Sequence, residues 1–263
     1  MPEYVGDDAL VATQARIRDR QGRFANAPWF SNGGRIVNYV DPKPETWPQA
    51  REIAETDGLL GLPCVPRDGV EAMVETHLGP GWTPHYWEVF LGEAADVLPV
   101  CKEVIDSVAL PDGWQVKAVL RADPDTVDAV QALNVATGLA PYPAYFMRGD
   151  GPLTLTVVIR ARDGRLVATS SYCMRYHAQS RFGGIAFVGL VSVDASCRGM
   201  GLGKLANALA HVHGHRQIGC SGMMQFAAPD NTASHRMIGA CGLTHHPEQV
   251  FAIVTRTTDR PSR

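Results

Sequence analysis

The stretch from Ile185 to Arg216, IAFVGLVSVDASCRGMGLGKLANALAHVHGHR, constrains this chain more than any other. It begins with an apolar, β-branched run, Ile185–Val193, that reads as a central strand. It closes with Leu202, Leu205, Leu209 and Val212 at helical spacing. Between the two lie Gly199, Gly201 and Gly203 at alternate positions. A strand that feeds a helix through so bare a turn points to an α/β fold. The glycines let backbone N–H groups turn toward an anion at close range. The helix adds its unpaired N-terminal amides and the positive end of its dipole. Arg198 and Lys204 bring two cations to the same place, and no Asp or Glu occurs between Asp194 and Asp230.

Three phosphate-binding patterns compete for this turn. A P-loop needs GxxxxGK[ST]. Gly203-Lys204 supplies the GK, but Leu205 stands where a magnesium-binding hydroxyl belongs and Arg198 takes the first glycine position. A dinucleotide fingerprint, GxGxxA, is met by Gly201-Leu-Gly203-Lys-Leu-Ala206. Its context fails, because Asp194-Ala-Ser-Cys-Arg intervenes after Val193 and no acidic residue follows about twenty positions on. There remains R-x-x-G-x-G, read as Arg198-Gly199-Met200-Gly201-Leu202-Gly203, which suits a pyrophosphate. A glycine turn that serves only strand-to-helix packing is the alternative.

The surrounding pattern fits a mixed α/β domain over residues 112–263, with Pro111-Asp112-Gly113 as the boundary turn. Strands are expected at Trp114–Leu120, Leu153–Arg160, Leu166–His177, Ile185–Val193, Met223–Ala227 and Gln249–Arg256. Asp163-Gly164 is a strong hairpin signal between two of them. Helices are expected after Asp125 or Thr126, from the glycine turn onward, and over Asn231–Cys241 with Gly242 as the stop. The order is β-α-β-β-β-α-β-α-β. Residues 1–111 read as an α+β region. Helices are expected around Ala9–Arg18, Thr46–Glu55, Val70–His77 and Asp96–Ile105, and strands at Arg35–Val40 and Trp87–Leu91.

The bulk properties narrow the function classes. A formal net charge of −3 over 263 residues gives no reason to expect nucleic acid or an acidic membrane surface as partner. No apolar run is long enough to span a bilayer, and the acidic N-terminus lacks the apolar core of a secretory leader. The six cysteines have no CxxC spacing, so buried reduced thiols are expected over disulfides or a zinc site. The chain reads as a soluble protein of the cytoplasm that needs no metal. A homodimer stays open.

Val191-Ser-Val-Asp-Ala-Ser-Cys-Arg198-Gly-Met-Gly201-Leu-Gly203 resembles the acetyl-CoA-binding motif of the GCN5-related N-acetyltransferase (GNAT) superfamily, a strand, then R/Q-x-x-G-x-G/A, then a helix. Asn231-Thr-Ala-Ser234 followed by Gly242-Leu243 resembles that family's N-x-x-A/S…G-F segment, and the likeness covers about residues 114–258. It implies the GNAT mixed sheet flanked by helices, acetyl-CoA as co-substrate, and acyl transfer to the amine of a small molecule within a ternary complex. It further implies that the strand backbone at Val191, Ser192 and Val193 binds the pantetheine arm. Arg198, Gly199, Met200, Gly201, Leu202, Gly203 and Lys204 would wrap the pyrophosphate. Asn231 and Ser234 would lie near the thiol end, although Asn231 is also a natural helix cap.

The likeness breaks at catalysis. Many family members carry a Tyr seven residues after the Asn and a Glu on the central strand; here those positions hold Ile238 and Phe187. The catalytic residues are therefore unknown from sequence. Either His177, Tyr176, Ser234, His235, Glu248 or the His245-His246 pair substitutes, or the chain is a non-catalytic module that binds or senses an acyl-CoA. Cys220 and Cys241 read as packing residues. His211 and His215 share a helix face without a carboxylate nearby, which makes a poor metal pair. In the N-terminal region, Val70–Leu91 echoes the helix–glycine–strand end of a GNAT domain. That leaves a degenerate GNAT-like half or an unrelated accessory domain, with Trp29, Phe30, Trp47, Trp82, Tyr86 and Trp87 building a core or lining an acceptor pocket.

Overall fold

A computed structural model describes residues 2–257; Met1 and the last six residues of the expected second domain, 258–263, lie outside the described part. The first half runs α1 (Asp8–Asp19), α2 (Gln21–Phe24), β1 (Phe30–Asn32), β2 (Val37–Tyr39), α3 (Trp47–Asp57), β3 (Leu59–Pro66), α4 (Val70–Leu78), β4 (Thr83–Glu93) and α5 (Ala94–Asp106). The second runs β5 (Gln115–Val119), α6 (Pro124–Ala136), α7 (Ala144–Arg148), β6 (Leu153–Arg160), β7 (Leu166–Met174) and β8 (Ile185–Val193). It continues through α8 (Leu202–Gln217), β9 (Gly222–Ala227), α9 (Thr232–Ala240) and β10 (Thr244–Thr255). The strands expected from β8 onward and the helix after the glycine turn are all present. Helix α6 starts earlier than expected: Asp123 is the cap, its carboxylate accepting from the Thr126 N–H at 2.8 Å, because Pro124 fits the first helical position.

The described strands join one sheet in the order β1-β2-β3-β10-β4-β9-β8-β7-β6-β5. The centre has an approximate two-fold pattern. β3-α4-β4 in the first half has its counterpart in β9-α9-β10 in the second, and each half sends its last strand into the other. β10 pairs antiparallel with β3 and β4, β4 pairs antiparallel with β9, and the flanking β2–β3 and β8–β9 pairs are both parallel.

The exchange has a packing cause. Val250, Ala252 and Val254 of β10 are fully buried against Tyr39, Trp47, Leu60 and Leu62 of the first half. Burying a valine is worth roughly 1.5–3 kcal/mol. Trp29, Phe30, Trp47, Trp82 and Tyr86 pack in or against this cluster, so they are core residues. A second cluster lies beneath α5 and α8, where Cys101, Leu205 and Leu209 meet Leu155, Tyr172 and Val188 of the sheet. No helix among the described residues is long and apolar enough to cross a membrane.

Candidate functional site

The site begins where β8 parts from β9. Their parallel ladder runs only from Ile185 opposite Gly222 to Phe187 opposite Met224. On its other edge β8 stays paired with β7 as far as Val193. From residue 188 to 193 one edge of β8 therefore has no strand beside it among the described residues. An edge of that kind is a template for an extended ligand. The β7–β8 register also skips a residue between Thr169 and Ser171, and Leu190 takes φ 51°. This is a bulge, and it bends the strand at the point where the sheet opens.

The glycine turn follows the open edge. Asp194 caps the 3-10 turn Ala195–Cys197, accepting from the Ser196 N–H at 2.9 Å, and Arg165 lies 2.8 Å from its other oxygen. The Ser196 hydrogen bonds and then Arg165 hold the Asp194 carboxyl below the usual range. The nearest acid is thus already engaged away from the turn. Gly199 and Gly201 have φ 82° and 77°, backbone that side-chain-bearing residues seldom adopt. Gly201 is the N-cap of α8 and provides no side-chain hydrogen bond, so the first amides of this 16-residue helix keep free donors.

These features enclose a cavity of about 470 Å³. Val191, Ser192 and Val193 line it from β8; Arg198, Gly199, Gly201, Leu202, Gly203 and Lys204 line it from the turn; Asn231 and Ser234 line it from α9. Met200 does not, and its side chain is exposed at the apex of the turn. Ser192 contributes main chain, because its hydroxyl is tied to Asn134 Oδ1 at 2.9 Å and to the Thr137 hydroxyl at 2.8 Å. Asn231 does cap α9, accepting from the Ser234 N–H at 3.1 Å, and it still faces the cavity. Among the described residues neither Arg198 nor Lys204 forms an ion pair, which leaves both charges available to a ligand.

A smaller cavity of about 140 Å³ adjoins the first and shares Leu139, Val191, Asn231, Ser234 and Met237 with it. Its far wall comes from both halves: Arg35 and Trp87 from the first, Tyr142, Arg175, Phe187 and Phe251 from the second. The aromatics of the first half thus divide, with Trp87 at this cavity and the other five in or against the core cluster. Ile238 and Phe187, the positions where the resemblance leads one to expect Tyr and Glu, both line this smaller space. No carboxylate or imidazole does so among the described residues.

The side chains considered as substitutes lie elsewhere, Ser234 excepted. Tyr176 is buried with its hydroxyl on the Met224 sulfur at 3.3 Å. His177 accepts from the Gln179 N–H at 3.0 Å, His235 meets the Ala228 carbonyl at 2.9 Å, His245 meets Glu88 at 2.7 Å, and His246 meets Glu248 at 3.2 Å. Cys241 is buried beside Cys101, and Cys220 lies 3.5 Å from His215 Nδ1. His211 does not join His215; it is buried on Gln225 Oε1 at 3.2 Å. Sequence reading missed Arg35, Tyr142 and Arg175. The signal for the last was an arginine ending an otherwise uncharged strand run. Tyr142 lies in a Pro141-Tyr142-Pro143 segment that carries no periodic pattern.

Residues 129–243 match the family model described as the acetyltransferase (GNAT) family. No curated protein matches the sequence. Among solved structures, a GCN5-related N-acetyltransferase from Kribbella flavida is 16% identical with a TM-score of 0.56, over 92% of this chain and 95% of that one. A tandem GNAT protein from the clavulanic acid biosynthesis pathway, solved without acetyl-CoA, is 17% identical with a TM-score of 0.54, over 87% and 82% of the two chains. A GCN5-related N-acetyltransferase-like protein from Streptococcus suis is 14% identical with a TM-score of 0.53, over 86% and 81%. At such identities the likeness is one of fold.

Proposed function

We propose, from the premise that the C-terminal half of this chain belongs to the GNAT acetyltransferase family, that the protein moves an acetyl group from acetyl-CoA to the amine of a small molecule. Family and fold support acyl transfer from an acyl-CoA in general. The observation that carries the donor assignment is the single cavity bounded by the open β8 edge, the Gly199–Gly203 turn, Arg198, Lys204 and the free amides of α8. On this reading residues 112–263 are the donor domain. Residues 1–111 are a GNAT-like half without its own R-x-x-G-x-G turn, and it contributes Arg35 and Trp87 to the acceptor wall.

In the reaction the amine nitrogen attacks the thioester carbonyl, a C–N bond forms, the C–S bond breaks and the thiolate departs with a proton. The backbone of residues 188–193 orients the pantetheine arm, with a strand N–H to polarise the carbonyl. The turn and its two cations fix the pyrophosphate. Direct attack within a ternary complex needs a neutral amine, and an alkylamine of pKa near 10 is only about one part in a thousand neutral at pH 7. With Ile238 and Phe187 at the usual proton-transfer positions, solvent sets that neutral fraction.

The test has two readouts. Calorimetry is expected to give saturable acetyl-CoA binding, and release of the CoA thiol is expected to require an added amine. The logarithm of kcat/KM should climb by about one per pH unit up to the acceptor's own pKa. A plateau far below that pKa would reveal an enzymic base and overturn the solvent-set step. The same two apolar side chains favour a second reading, an acyl-CoA-binding module without turnover. Thiol release no faster than the uncatalysed background across a broad amine panel would select it.

A further inference from the structure

We infer that the smaller cavity binds the carboxylate of the acceptor, so that the substrate is a compact amine carrying a carboxylate, as an α-amino acid does. This rests on the donor reading above and deepens it. Arg175, at the end of β7, is nine-tenths buried and lines the cavity. Its guanidinium lies 3.8 Å from the centre of the Phe187 ring and donates from Nη2 to the Tyr176 hydroxyl at 3.1 Å. Its Nε–H is buried with no partner, and among the described residues Arg175 forms no ion pair. Arginine stays protonated in proteins, so this is a buried positive charge without a counter-ion.

A second orphan belongs to another residue of the same wall. The Tyr142 ring stacks on Phe146 at 4.6 Å, and its buried hydroxyl has no hydrogen-bond partner. Burial keeps that phenol protonated, which makes it a donor. Arg35 adds another guanidinium to the wall, where it donates to the Ala140 carbonyl. No Asp or Glu lines the cavity among the described residues. Two cations and a spare hydroxyl donor around one small space form a site for an anion, and a carboxylate suits the planar guanidinium fork. Trp87, Phe187, Phe226 and Phe251 offer apolar surface to the rest of the molecule. Asn231 and Ser234, shared by both cavities, mark the side on which an amine would meet the thioester.

The test uses the full chain, acetyl-CoA, and the proteinogenic amino acids, each beside its own primary amide, with kcat/KM taken per concentration of neutral amine because the amide's amine is the less basic of the two. At least one acid is expected to exceed its amide in kcat/KM by about tenfold or more, the worth of a charge-assisted hydrogen bond. Arg175→Met should collapse that acid-to-amide ratio toward one. Tyr142→Phe keeps the ring stack, guards against a misfolded arginine variant, and should lower the ratio several-fold through KM. The inference is overturned if no acid outruns its amide, or if both variants keep the wild-type ratio. Calorimetry with acetyl-CoA on the same preparations separates the two ideas. Loss of the donor reading appears as no acetyl-CoA heat in the wild type, whereas failure of the carboxylate site leaves that heat intact.

Discussion

At Gly201 the backbone conformation and the ligand space make the same demand. With φ 77° the position disfavours any side chain, yet a Cβ there would sit 3.5 Å from Val108, so modest substituents are not blocked by packing. Gly201→Trp is expected to fold at a cost of about 1–2 kcal/mol for the left-handed backbone, while its bulk distorts the turn that lines the donor cavity. Acetyl-CoA heats should vanish with circular dichroism unchanged; retained binding would argue against the turn as the pyrophosphate site. His211 carries a different kind of prediction. It is fully buried, and loss of solvation outweighs its Gln225 hydrogen bond and lowers its pKa from 6.5 to about 4. The unfolded chain thus takes up a proton before the folded one does. The stability from this residue is complete above pH 6.5 and is lost as pH falls toward 4, by about 3 kcal/mol in all. Urea midpoints measured across that window should fall for the wild type and fall less for His211→Leu.

At the level of elements, α8 lies on β7 through a contact that only glycine permits. A Cβ at Gly214 would come within 2.3 Å of the Tyr172 ring. Gly214→Ala should push the helix off the sheet and cost about 1–3 kcal/mol, seen as a lower Tm. An unchanged Tm would mean that α8 tolerates lifting. Period-based reading found α8 and β8 because each carries its apolar residues in one unbroken pattern. It missed β3, whose Gly61, Pro63 and Pro66 look like loop punctuation. The register against β10 explains their presence. It jumps from Leu62 opposite Ala252 to Val65 opposite Val250, leaving Pro63 and Cys64, the latter at φ 52°, in a bulge that asks Pro63 for no ladder hydrogen bond.

For the whole molecule, the exchange of last strands makes each half incomplete without the other. Among the described residues β10 pairs with no strand of the second half; its partners are β3 and β4. A fragment of residues 112–263 alone would expose the edge of β9 that β4 covers and strand the apolar side chains of β10. It is expected to aggregate or to lack cooperative unfolding by size exclusion and circular dichroism, and to regain both when residues 1–111 are added. A stable monomeric fragment would show that the exchange is dispensable.

The donor turn was legible because everything it needs is contiguous in the chain: the strand, the three glycines, Arg198, Lys204 and the helix start. Local backbone geometry follows from local residue types, so those positions converge on one cavity. The acceptor wall was not legible. Arg35, Trp87, Tyr142, Arg175 and Phe251 are far apart in sequence, and each alone reads as an ordinary core or surface residue. Only the pairing of β4 with β9 and of β10 with β3 brings them around one space. Which sheet edges meet is decided by apolar burial across the whole chain, which no local pattern encodes.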